Sequence, residues 1–136
     1  MALTLDYVTR LFKNLSNGNT NSFFDRVVDD VHWTVMGTHP LAGMYNSKAD
    51  FLNHTFERLD KILKEGSVVM KLDHIYVSGD TAIVEMTSTS TALDGRPYPQ
   101  KFCSVTRFID GLMSRFKLTT YIYIYIYYFK IVIGMS

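Results

Sequence analysis

The sequence predicts an α+β domain, about three helices packed on the concave face of a curved antiparallel sheet. Three observations carry this. Apolar residues at helical spacing dominate the N-terminal half, strand-like alternation fills most of the remainder, and the order helix, helix, strand, long helix, then successive strands segregates the two kinds of element.

Leu5, Val8, Leu11, Phe12 and Leu15 recur at helical spacing, with Thr4 placed to cap the first helix. Ser-Asn-Gly-Asn from Ser16 to Asn19 stops it. Phe23, Phe24, Val27 and Val28 predict a short second helix that Asp29 and Asp30 end, leading into a strand from Val31 to Gly37. Pro40 and Gly43 predict an irregular loop. Ser47 and Asp50 have capping-box spacing and open a long helix whose stripe is Phe51, Leu52, Thr55, Phe56, Leu59, Ile62 and Leu63, with Gly66 as its stop. Val68 to Val77 alternates, Ser78-Gly79-Asp80 turns, and Thr81 to Ala92 is rich in β-branched residues. Asp94-Gly95 is a hairpin signal. Lys101 to Ile109 is a further strand, Asp110-Gly111 turns again, and a last strand is expected to begin near Met113.

At 136 residues the chain is one domain with room for a substantial core. A net charge of +1 gives no reason to expect a nucleic acid or an anionic membrane surface as partner. One cysteine, Cys103, excludes an internal disulfide framework and reads as a packed thiol on a strand. The first residues read as an amphipathic helix rather than a signal peptide, so a cytoplasmic location is expected. His32, His39, His54 and His74 lack metal-binding spacing, and no phosphate loop or nucleophile elbow occurs; no cofactor or metal is expected. A cavity between sheet and helices is the natural ligand site.

The stretch WTVMGTHPLAG, Trp33 to Gly43, before a helix opening SKADF, resembles the SnoaL-like branch of the superfamily that includes nuclear transport factor 2 and ketosteroid isomerase. SGDTAIVEM, Ser78 to Met86, and TALDGRPYPQKFCSVTRFIDG, Thr91 to Gly111, resemble that family's turn, strand and hairpin. The resemblance implies a cone-shaped fold, an apolar pocket at the cone's open end, and frequent dimers through the outer sheet face. Its members include isomerases, polyketide cyclases, dehydratases and epoxide hydrolases, and others have no catalytic role, so the fold does not decide function.

Those reactions need a positioned base in an apolar pocket and a group that stabilises the developing oxyanion. The resemblance places Thr34 near the isomerase base, where threonine cannot serve, and Ser104 near its protonated aspartate. The pattern YCWVCRF, often seen there, is FCSVTRF in this chain, from Phe102 to Phe108. Steroid isomerisation by the usual pair is thereby disfavoured. His39 is the remaining acid/base candidate, because an ordinary imidazole titrates near neutrality, against the plainer alternative of a loop histidine that bonds only backbone groups. Trp33, Thr34, Tyr45, Phe102 and Ser104 are the expected pocket, although large aromatics serve equally well as core. His74 shares strand parity with Met70 and Leu72 and is expected to point inward, with Lys71 and Asp73 outward.

The resemblance covers residues 1–115. The family commonly continues with an aromatic and an aspartate, whereas here RFKLTTY leads into YIYIYIYY, Tyr121 to Tyr128. Alternating T and A read in triplets gives TAT then ATA, which spells tyrosine then isoleucine. Residues 116–136 are therefore expected to be an aberrant tail translated from AT-rich noncoding sequence, replacing the family's final strand; a genuine strand is the alternative. Three functions remain in play. One is a SnoaL-like domain that binds an apolar small molecule, acting as a cofactor-free isomerase, cyclase or dehydratase on a carbonyl compound. The others are a non-catalytic ligand-binding or dimerisation module and an inactive splice or gene-model variant. A homodimer through the sheet is the expected assembly.

Overall fold

The computed structural model describes residues 3–37, 41–57, 61, 63–64, 69–95 and 100–120. Helix α1 runs Leu5–Ser16, α2 Thr20–Phe24 and α3 Lys48–His54. The strands are β1 Val27–Val35, β2 Gly43–Tyr45, β3 Met70–Ser78, β4 Thr81–Ser88, β5 Lys101–Ile109 and β6 Leu112–Thr120. They form one six-stranded sheet in the order β2-β1-β6-β5-β4-β3. Every neighbouring pair is antiparallel except β1 and β6, which run parallel. The α+β architecture stands, with a mixed rather than wholly antiparallel sheet, because the return from β1 through α3 and the β3–β6 meander brings the last strand beside the first.

α1 forms where its stripe requires. Val8, Leu11, Phe12 and Leu15 are buried, and the Tyr7 amide donates to Thr4 Oγ1 at 3.1 Å. Such a cap is worth about 1 kcal/mol. Tyr7 donates its hydroxyl to the Gly111 carbonyl at 2.5 Å and Ser16 donates to the Met70 carbonyl, so both ends of the helix are tied to the sheet. Gly18 at φ +75° makes the turn into α2, a conformation that side-chain-bearing residues seldom adopt.

α2 and β1 divide the chain differently from the expectation. The helix stops at Phe24, and the strand begins at Val27, so Asp29 and Asp30 are exposed strand residues, not a helix end. Lys48 stabilises the junction. Its ammonium donates to the Phe24 and Val27 carbonyls, each at 3.0 Å, and lies 3.4 Å from Asp29. The loop expected around Gly43 holds the short strand β2.

α3 starts as expected, with the Asp50 amide donating to Ser47 Oγ at 3.0 Å. It is interrupted at Thr55 (φ −125°, ψ −76°), and Phe56 and Glu57 are helical again. Thr55 is buried and donates its hydroxyl back to the Phe51 carbonyl at 2.6 Å, beside its own amide at 3.0 Å, a back-bond of the kind that bends helices. Leu63 belongs to an isolated bridge with Ala92, and Leu59, Ile62 and Gly66 lie outside the described residues.

Register shifts in β1, in β3 and between β5 and β6 bend the sheet. The shift in β3 falls between Leu72 and His74. One extra residue reverses the parity, so His74 is exposed beside Tyr76 rather than turned inward. Asp73 is half-buried and accepts from the Thr87 hydroxyl at 2.5 Å, with Lys71 at 3.8 Å.

Candidate functional site

The concave face is built from registered cross-strand rows. Trp33 on β1 sits opposite Phe116 on β6, which sits opposite Thr106 on β5, which faces Ala82 on β4. One step along, Val35, Leu118, Ser104 and Val84 form the next row, and Phe102 and Met86 the one beyond. α1, α2 and α3 supply the opposing wall with Phe12, Phe23, Phe24 and Phe51, all buried.

At the β1 end this wall closes into an aromatic stack. The Trp33 ring lies 3.7 Å from Phe51 at an interplanar angle of 13° and 3.7 Å from Phe116 at 4°. Phe24 adds a third contact at 5.9 Å. Trp33 is 5% exposed, and among the described residues its indole Nε1–H has no hydrogen-bond partner. Leaving a buried donor unpaired costs about 1–3 kcal/mol, so this atom is the first polar feature that the fold does not explain.

The second lies on β5. Ser104 and Thr106 are 1% and 0% exposed, and their hydroxyls are 2.9 Å apart. Two hydroxyls bring two protons, and their mutual bond uses one. Among the described residues no acceptor takes the other. Trp33 and Thr106 are two strands apart, roughly 10 Å at ordinary strand spacing. An otherwise apolar surface thus carries two spare hydrogen-bond donors about one aromatic molecule's length apart.

The residues expected to line the pocket divide accordingly. Trp33, Tyr45, Phe102 and Ser104 belong to the inner layer. Tyr45 pairs with Trp33 across β2, packs edge-on against Phe51 at 5.5 Å and donates its hydroxyl to the Leu41 carbonyl at 2.7 Å. Phe102 is half-buried against the core. Thr34 is the correction: adjacent strand residues face opposite ways, and with Trp33 buried inward Thr34 lies on the outer face. His39 lies outside the described residues. Thr106 emerges as Ser104's partner, a pairing legible in principle from their i, i+2 spacing on one strand.

Sequence reasoning missed one further pair. His54 Nδ1 is 3.0 Å from Asp50 Oδ1 and 2.8 Å from the Asp50 carbonyl, at the exposed end of α3, with the Tyr45 ring 6.1 Å away. Their i, i+4 spacing was the available signal. Cys103 lies on the outer parity of β5; burial, and secondarily the charge of Glu85, push its thiol pKa up, which disfavours the thiolate. Among the described residues no three of His, Cys, Asp and Glu converge where a metal ion would be held, and no helix is long and apolar enough to cross a membrane.

Known proteins agree with this architecture. The chain is 31% identical over 119 residues to the dimerizing cyclase phiC of a fungus (strain ATCC 74256), an alignment covering 85% of this chain and 51% of that protein. The chain therefore spans about half the length of this curated relative. Its structure resembles an NTF2-like protein of Burkholderia thailandensis E264 (TM-score 0.73, 21% identity, covering 90% of this chain and 93% of that one). It also resembles TerC, co-crystallised with polyporic acid (TM-score 0.67, 19% identity, covering 90% and 95%). At such identities these structures establish the fold, a cone-shaped α+β sheet with helices in its curve. The SnoaL-like domain family matches residues 8–116, and the chain belongs to that family.

Proposed function

We propose that this domain binds an apolar small molecule carrying a carbonyl or similar acceptor between its helices and the inner sheet face, and promotes isomerisation, cyclisation or dehydration by proton transfer. One observation carries the reading: two buried donors in an apolar layer, Trp33 Nε1–H and the spare proton of the Ser104–Thr106 pair, have no acceptor among the described residues. A ligand oxygen would satisfy either. When a base removes the proton α to that carbonyl, the electron pair moves onto oxygen. A pre-placed donor in a low-dielectric setting stabilises the enolate, and proton return at another carbon completes an isomerisation. His39 remains the proposed base or acid. The likeness to TerC and to a cyclase supports the ligand class.

Trp33 is the sole tryptophan, so its emission reports on this site alone. Titration with polyporic acid is expected to quench that emission saturably. Ser104→Ala with Thr106→Val should weaken binding roughly tenfold, the worth of one good hydrogen bond. His39→Ala should leave binding intact and abolish turnover; retained turnover would remove His39 from the mechanism, and absence of any quenching would remove the pocket.

We also infer a homodimer through the outer sheet face. Tyr76, Ile83 and Val105 are 54%, 38% and 38% exposed there. Lys117 and Glu85 flank β5 on either side, opposite Val105 and Cys103 respectively. A two-fold axis through that strand sets each copy's lysine against the other's glutamate. Sedimentation equilibrium should show a dimer for the native chain and a monomer for Val105→Lys; a native monomer at tens of micromolar ends this reading.

A further inference from the structure

A second site lies on the outer face, at the end of the sheet where β5 turns into β6. An open groove of about 410 Å³ is lined there by His32, Arg107, Arg115, Ile109, Leu112 and their neighbours. Its chemistry follows from register. His32 on β1 is directly opposite Arg115 on β6, which is directly opposite Arg107 on β5. Three basic side chains therefore stand in one cross-strand row, the two arginines as immediate neighbours. Like charges so placed repel.

The row is poorly compensated. Arg107 has a loose contact, Nε to Asp80 Oδ2 at 3.5 Å, with both side chains more than half exposed. Arg115 has no ion-pair partner among the described residues. Asp30 and Asp110 line the same groove yet pair with neither arginine. Ile109, 59% exposed, adds an apolar surface beside them.

We propose that this groove binds a small organic acid with one carboxylate and an apolar body. The carboxylate lies on the row of Arg115, Arg107 and His32, where a guanidinium fork matches its two oxygens. The apolar body covers Ile109 and Leu112. The aspartates decide the class: a ligand with a second negative charge, or a multiply charged phosphate, would meet Asp30 or Asp110. This site is separate from the inner face and does not depend on the reading given for it; it shares the outer face with the inferred dimer contact but lies two residues along β5 and β6 from Val105 and Lys117, toward the β5–β6 turn.

The test is a titration of ¹⁵N-labelled protein with benzoate, with benzyl alcohol and sulfate as controls. Benzoate is expected to shift the amides of residues 30–32, 107–110 and 112–115 saturably, while Trp33 emission stays unchanged. Arg115→Gln should weaken binding roughly tenfold, the usual cost of losing a charge-assisted bond. Arg115→Lys, which keeps charge without the fork, should fall between, and also serves if the glutamine variant misfolds. Ile109→Ser should weaken benzoate binding severalfold. The proposal is overturned if sulfate or benzyl alcohol shifts the same amides as strongly, if both Arg115 variants bind like the native protein, or if the shifts map to Trp33, Ser104 and Thr106 instead.

Discussion

Trp33→Ala is expected to remove about 3–5 kcal/mol of stability, out of a total that is usually 5–15 kcal/mol. The indole fills the space between Phe51 on α3 and Phe116 on β6, each 3.7 Å away ring to ring. Truncation deletes two stacked contacts, empties a volume that helix and strand cannot both collapse into, and loosens α3 from the sheet. Urea unfolding followed by circular dichroism should show a midpoint lower by roughly 2 M. Trp33→Phe separates packing from polarity. It keeps a ring in the stack and deletes the unpaired N–H, so stability should change by no more than about 1 kcal/mol. Ligand affinity should nonetheless fall if that N–H serves the ligand. A loss below about 1 kcal/mol for alanine would show that the stack contributes little.

Ending the chain after Ser114 should abolish cooperative folding. β6 is interior, with β1 on one side and β5 on the other. Stopping there removes Phe116 and Leu118 from the inner face and every β6 partner from His32 to Val35 and from Phe102 to Arg107. β1 and β2 would lose their link to the meander, and β5 would become an unpaired edge open to aggregation. Phe116→Ala, which keeps the backbone ladders, should cost about 3–5 kcal/mol and still leave a cooperative transition. A cooperative transition with native-like sheet content in the truncated chain would show that β6 is dispensable. This experiment bears on residues 116–120. Phe116 to Leu118 pair with both β1 and β5, and Thr119 and Thr120 extend β6 against β5. Lys117 and Thr119 keep the outward parity, while Phe116 and Leu118 keep the inward one. Alternation is all a strand position demands, and the sequence still supplies it there. Residues 121–136, including the tyrosine-isoleucine run, lie outside the described residues.

Much of this was legible in the sequence because it is local. The stripe of α1, the caps at Thr4 and Ser47, the turns at Gly79 and Gly111 and the strand alternation each depend on residues a few positions apart. The fold class followed from their order, and the resemblance to SnoaL-like domains rested on motifs of similar reach. Where local signals competed, they misled. Thr55 reads as an uninterrupted part of a helical stripe, but its hydroxyl shares the Phe51 carbonyl with its own amide and the helix is interrupted there. His74 reads as inward until one residue of bulge reverses it.

The sequence by itself determined which residues are apolar, which alternate and where the chain turns, and so an α+β domain with a greasy inner face. Only the tertiary structure decided that Trp33 meets Phe116, that Thr34 turns away from it, that Ser104 and Thr106 are left with a spare proton, and that three basic residues align in one outer row. Each of these depends on strand register between segments tens of residues apart. Register is set by how many residues lie in bulges and by which face the whole sheet buries, and neither quantity is a property of any short stretch.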